Sequence, residues 1–134
     1  MAVPADVHSR ILSMAQEEWP DDFEMQKHTL DKQVDAYLEL NRVYGSLEPN
    51  DFVNGVFSSA LAEWPDDYDM QLHTVHKQLD AAVEFFQYSD DRIPSDVLDR
   101  IRKKAFAEWP EDYDMQLHTL KKQVAAWLSL NGLT

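Results

Sequence analysis

The stretch EWPDDYDMQLHT, residues 63–74, has a near-copy on each side of it in the chain. EWPDDFEMQKHT spans residues 18–29, and EWPEDYDMQLHT spans residues 108–119. The tryptophans of the three stretches, Trp19, Trp64 and Trp109, are separated by 45 residues each time. A constant period indicates that one structural unit is used three times. We therefore predict a single helical-repeat domain, 1–134, made of repeats 1–45, 46–90 and 91–134.

The six prolines of the chain keep the same period. One set lies near the start of each repeat and the other directly follows the tryptophan: Pro4, Pro49 and Pro94, then Pro20, Pro65 and Pro110. Proline is disfavoured inside a helix and restricts the residue before it. Each repeat is therefore predicted to hold a shorter and a longer helix, with the Trp-Pro pairs as the structural corner between them. Asp6, Asp51 and Asp96 are the predicted N-caps of the shorter helices.

The longer helix has two apolar faces, and it is predicted to begin at the paired acids after the second proline of each repeat. In repeat 2 one face contains Tyr68, Leu72, Val75, Leu79, Ala82 and Phe86, and a weaker face contains Met70, Thr74, Ala81 and Phe85. A helix with two apolar faces packs on both sides, here against its hairpin partner and a neighbouring repeat. Gln33, Gln78 and Gln123 lie between the two faces, and we expect them to be partly buried and bonded to neighbouring backbone. The predicted fold is all-α, with three αα-hairpins stacked as a short solenoid or a compact six-helix bundle.

The composition excludes several classes of protein. The 134 residues include 25 acidic and 12 basic side chains, a net charge of −13, which argues against direct binding to nucleic acid or to an anionic membrane. The absence of cysteine excludes disulfides and thiolate metal sites. No basic region followed by a long apolar run is visible at the N-terminus, and no apolar stretch approaches the ~20 residues of a membrane span. We expect a cytoplasmic protein.

Catalytic motifs are missing from the sequence: there is no Gly-rich phosphate loop, no HExxH and no nucleophile elbow. The pattern predicts a non-enzymatic protein without cofactor. The best candidate contact residues form an exposed strip on each longer helix, with acid, histidine and lysine four residues apart: Glu24, His28 and Lys32; Asp69, His73 and Lys77; Asp114, His118 and Lys122. The three histidines are not expected to share zinc, because equivalent positions of stacked repeats are separated by roughly 8–10 Å.

A second candidate contact is the one concentrated basic patch of the chain. It lies on the shorter helix of repeat 3 and consists of Arg100, Arg102, Lys103 and Lys104. Repeats 1 and 2 have net charges of −5 and −8, whereas repeat 3 is neutral. The patch could therefore contact the acidic repeats of another copy.

These patterns predict an interaction or adaptor module that binds another protein with a basic surface, or binds itself. Two alternatives stay open on the sequence alone. An acidic helical protein can mimic nucleic acid and inhibit a DNA- or RNA-binding protein, and a pocket between repeats or the histidines could hold a small ligand or a metal.

Overall fold

The computed structural model describes residues 2–133, which form six α-helices and no strand. The helices are α1 (Ala5–Glu18), α2 (Phe23–Ser46), α3 (Asp51–Glu63), α4 (Tyr68–Gln87), α5 (Ser95–Glu108) and α6 (Tyr113–Leu130). A shorter and a longer helix alternate along the chain, separated at each Trp-Pro pair. The prediction of an all-α chain is confirmed, and the stacking of three repeats stays a prediction.

The chain divides into two compact units, one ending at Val75 and the other beginning at His76. The boundary falls within α4, so each unit contains parts of more than one repeat. In the first unit α1 packs against α2, and in the second α5 packs against α6.

The shorter helices begin differently from the prediction. Pro4 and Pro94 occupy the N-cap positions of α1 and α5 without a side-chain hydrogen bond. The N-cap of α3 is Asn50, whose side chain accepts a hydrogen bond from the Val53 N–H at 2.8 Å. The predicted caps are wrong, since all three lie inside the first helical turn: Asp6, Asp51 and Asp96. There they complement the positive end of the helix instead of capping it.

The longer helices begin at aspartate caps, as the paired acids predict. One aspartate side chain of each repeat accepts a hydrogen bond at 3.1 Å from the N–H three residues later: Asp22 from Met25, Asp67 from Met70 and Asp112 from Met115. Each cap pairs one N–H that the helix itself leaves unpaired. The helix starts are therefore set locally, by residues that recur with the period.

Small residues let the paired helices approach closely near each corner. Ala15, Ala60 and Ala105, which are equivalent in the three repeats, are 0%, 1% and 0% exposed. The second unit has a continuous core of ten buried residues, contributed by α4, α5, α6 and the loop before α5: Ala81, Phe85, Ile93, Leu98, Ile101, Ala105, Leu117, Leu120, Val124 and Leu128. Burial of this apolar surface is the main source of stability for the unit.

Candidate interaction surfaces

The three tryptophans close the hairpin corners. Each indole Nε1–H donates to a threonine hydroxyl at 3.1 Å, and the pairs are Trp19 with Thr29, Trp64 with Thr74 and Trp109 with Thr119. The glutamine seven residues after each tryptophan donates its side-chain N–H to the tryptophan carbonyl; these are Gln26, Gln71 and Gln116, at 2.8, 2.8 and 2.6 Å. The recurring Trp, Gln and Thr residues therefore form the same hydrogen-bonded corner three times. The indole N–H of each tryptophan is therefore already bonded within its own corner.

A second recurring contact joins consecutive repeats. The Gln33 Oε1 of α2 accepts from the Tyr68 N–H at 2.7 Å, and its Nε2 donates to Asp67 Oδ1 at 3.0 Å. In the second unit Gln78 repeats the contact, accepting from the Tyr113 N–H at 2.7 Å and donating to Asp112 Oδ1 at 3.1 Å. The same Oε1 atoms also accept from the Asp69 N–H at 3.3 Å and from the Asp114 N–H at 3.4 Å, and we call this contact the glutamine junction. The prediction of half-buried glutamines bonded to neighbouring backbone is confirmed for Gln33 and Gln78.

The lysines of the acid–His–Lys strips reach the next repeat. Lys32 lies 3.4 Å from Asp69, and Lys77 lies 3.4 Å from Asp114. Both pairs are substantially exposed, so each contributes little to stability. The strip histidines, His28, His73 and His118, are exposed. The strips as a partner-binding surface stay a prediction, with two of their lysines already paired across repeats.

The glutamine junction predicts that the loss of stability differs between two of the aspartate caps. Asp22 only caps α2, whereas Asp67 both caps α4 and accepts from Gln33. Asp22→Ala is expected to lower the free energy of unfolding by about 1 kcal/mol, the usual loss for a cap. Asp67→Ala should cost about 2 kcal/mol, because a second hydrogen bond is lost with it. Urea unfolding of both variants measures the difference, and equal losses would contradict the junction.

The predicted basic patch separates into two kinds of residue. Arg102 donates to the carbonyls of Phe85 and Tyr88, lies 3.7 Å from Asp99, and its side chain is 23% exposed. Its guanidinium therefore satisfies carbonyls at the C-terminal end of α4. The other three cations are exposed and have no ion-pair partner among residues 2–133: Arg100, Lys103 and Lys104. The part of the patch available for a partner is this group of three.

An aromatic groove of about 450 Å³ lies in the first unit, and no pattern in the sequence predicts it. Two edge-to-face ring pairs line it, Tyr37 with Tyr68 and Tyr44 with Phe57, both with ring centroids 5.1 Å apart. Leu61 also lines the groove and is 55% exposed. The polar lining residues include Asn41, Asn54 and Ser58, and the Tyr44 hydroxyl donates to Asn54 Oδ1 at 2.7 Å.

Repeat 3 differs from repeat 2 at one of the positions that line the groove. Phe57 corresponds to Arg102, which is occupied by the carbonyls at the end of α4. A substitution between repeats was therefore the available sequence signal. In the sequence Arg102 is one of four neighbouring cations and Phe57 is one of several apolar residues of its helix, so neither is distinctive.

The first unit has a strongly negative net charge. Residues 1–75 carry 15 acidic and 4 basic side chains, a net charge of −11, whereas residues 76–134 carry 10 and 8, a net charge of −2. Burial raises the pKa of the groove residue Tyr68; the Arg10 charge opposes the increase, and nearby Asp66 adds to it. Its phenol is thus neutral at physiological pH, and the groove combines neutral aromatic rings with an acidic surround.

Among residues 2–133, no group of three His, Asp or Glu side chains is arranged to hold a metal ion. None of the helices described is both long and apolar enough to cross a membrane. Comparison with protein-family models, curated proteins and solved structures finds no match.

Proposed function

We propose that the protein is a non-enzymatic interaction module that binds a basic segment of another protein in the aromatic groove. The observation that carries the proposal is the position of the groove, because its aromatic lining belongs to the unit with a net charge of −11. Exposed carboxylates attract a segment rich in lysine and arginine and accelerate its association. The groove then selects for an apolar or aromatic anchor within that segment.

The chemistry of the lining supports a peptide-like occupant. The rings of Tyr37, Tyr44 and Phe57 offer faces and edges to an apolar side chain or to a cation. Asn41 and Ser58 add donors and acceptors of the kind that pair with a peptide backbone. The tyrosines provide contact area with few rotatable bonds, which limits the entropy lost on binding.

We also propose that the three αα-hairpins form one short solenoid or compact bundle. The support is the glutamine junction, which recurs with the same atoms in the first unit and in the second. A repeated contact between neighbouring repeats is typical of arrays in which each unit buries its face against the next. In such an array the acid–His–Lys strips would provide additional contact surface.

A random-sequence peptide library displayed on phage tests the binding proposal. Peptides enriched on the wild-type protein should have a net positive charge and at least one aromatic or large aliphatic residue. Leu61→Lys is expected to weaken the binding of an enriched synthetic peptide about tenfold or more, because it adds a cation and removes an apolar contact in the groove. Fluorescence anisotropy measures the Kd.

Phe106→Lys is the matched control for this experiment. Phe106 is the repeat-3 equivalent of Leu61, is 48% exposed, and does not line the groove. It receives the same change of charge and should alter the Kd by no more than about twofold. Enrichment of neutral or acidic peptides, or equal losses in the two variants, would contradict the proposal.

A further inference from the structure

The two ends of the repeat series carry the separate halves of the glutamine junction. At one end Gln123, equivalent to Gln33 and Gln78, is half-buried and has no hydrogen-bond partner among residues 2–133. At the other end the backbone N–H groups of Phe23 and Glu24 are equivalent to those that Gln33 and Gln78 bind, and they too have no protein partner in this part of the chain. One end therefore offers the glutamine and the other offers its acceptor and donors.

Apolar residues at the same two ends are exposed, whereas their equivalents in other repeats are buried. Leu130 is 86% exposed, whereas its equivalents Leu40 and Phe85 are 7% and 1% exposed. Phe23 is 73% exposed, whereas its equivalent Tyr68 is 8% exposed. The exposed residues are thus the ones that the other repeats cover at their junctions.

We propose that the protein associates head to tail with a second copy of itself, with the end of α6 docking on the start of α2 through a third glutamine junction. Gln123 Oε1 accepts from the N–H groups of Phe23 and Glu24, and its Nε2 donates to Asp22. Lys122 pairs with Glu24, as Lys32 does with Asp69 and Lys77 with Asp114. Trp127 takes the place of Tyr37 and packs on Phe23, as Tyr37 packs on Tyr68.

A second copy is favoured over an unrelated partner because both faces hold the residue types of the internal contact in the same register. Asp22 is equivalent to Asp67 and Asp112, and Glu24 is equivalent to Asp69 and Asp114. Such a contact is heterologous, with different surfaces on the two copies, so it can continue from copy to copy. It does not involve Leu61, so its failure and the failure of the groove proposal are distinguishable.

His8 sets the strength of the association. It is exposed at the position where Val53 and Leu98 are 5% and 6% exposed. A histidine buries less favourably than these aliphatic side chains, so the contact is weak and depends on protein concentration. His8→Val restores the internal residue and is expected to tighten association about tenfold.

Sedimentation velocity of the full chain up to millimolar concentration tests the proposal. The weight-average mass of the wild type should rise above 15.6 kDa with concentration. Phe23→Asp blocks one face and Leu130→Asp blocks the other, so each variant alone should remain monomeric. Mixed together, the two should form a dimer and nothing larger, because only one intact face remains on each copy. Val83→Asp, at a residue 55% exposed on α4, should associate as the wild type does.

Three results would overturn the proposal. The wild type and His8→Val could both remain at 15.6 kDa at the highest concentration. The two blocked variants could fail to pair on mixing, although far-UV circular dichroism shows them folded. Association could also persist in both blocked variants and disappear with salt, which would assign it to the exposed cations Arg100, Lys103 and Lys104.

Discussion

Phe85→Ala is expected to lower the free energy of unfolding by about 3–5 kcal/mol, the largest single loss we expect in the chain. Phe85 is 1% exposed and belongs to the core cluster of the second unit, with residues of α5, α6 and the preceding loop. Removing the ring takes its apolar surface out of the core and leaves a cavity that the helices can fill only in part. Urea unfolding followed by circular dichroism measures the loss.

The next residue is the matched control. Phe86 is 59% exposed, and its ring lies edge to face with that of Phe85 at a centroid distance of 5.2 Å. Phe86→Ala should cost no more than about 1 kcal/mol, because little buried surface and only one ring contact are lost. Similar losses for the two alanine variants would show that the burial assigned to α4 is incorrect.

This pair also shows that burial cannot be predicted from sequence periodicity alone. The alternating steps of four and three placed Phe86 on the principal face of the longer helix and Phe85 on the weaker one, but Phe85 is the buried residue. The shorter helices have 13 or 14 residues and the longer ones 18 to 24, so the last turns of a longer helix extend beyond its hairpin partner. Periodicity gives the direction of a side chain, and it does not reveal where its packing partner ends.

Local features were predictable and distant contacts were not. The aspartate caps join residues within one turn of each other, such as Asp67 and Met70, and the corner hydrogen bonds join residues only seven or ten apart. The partner of Gln33 is 34 or 35 residues away, so the sequence indicated a backbone contact without naming it. The aromatic groove depends on side chains from α2, α3 and α4 together. Only the packing of those helices brings them to one place.

Gln78→Ala is expected to lower the free energy of unfolding by about 2 kcal/mol. The variant removes the acceptor for the Tyr113 N–H and the donor to Asp112 Oδ1 in a half-buried contact. The net value of a hydrogen bond is about 1 kcal/mol, and leaving its partner without a bond increases the cost. Chemical denaturation at a protein concentration low enough to keep the chain monomeric measures the loss.

Gln123→Ala is the internal control, because Gln123 is the same residue type at the equivalent position and has no hydrogen-bond partner in the part of the chain that the structure describes. It should change the free energy of unfolding by less than about 0.5 kcal/mol in the monomer. The same variant should weaken the head-to-tail association about tenfold. A loss as large as that of Gln78→Ala in the monomer would show that the glutamine stabilises its own helix instead of the junction.

Gln78→Glu keeps the shape of the side chain but replaces the amide that donates to Asp112 with a carboxylate. The carboxylate keeps the acceptor for the Tyr113 N–H but faces Asp112, whose Oδ1 lies 3.1 Å from the Gln78 amide nitrogen. Like charges at that distance favour the protonated acid, so the pKa of the introduced Glu should be raised in the folded state. A raised pKa means that the folded state binds the proton more tightly than the unfolded state does, so the variant loses stability as pH rises. The stability of Gln78→Glu should therefore be closest to that of the wild type in acid and furthest from it near neutral pH. The stability lost in Gln78→Ala should not show this dependence on pH, because alanine does not titrate.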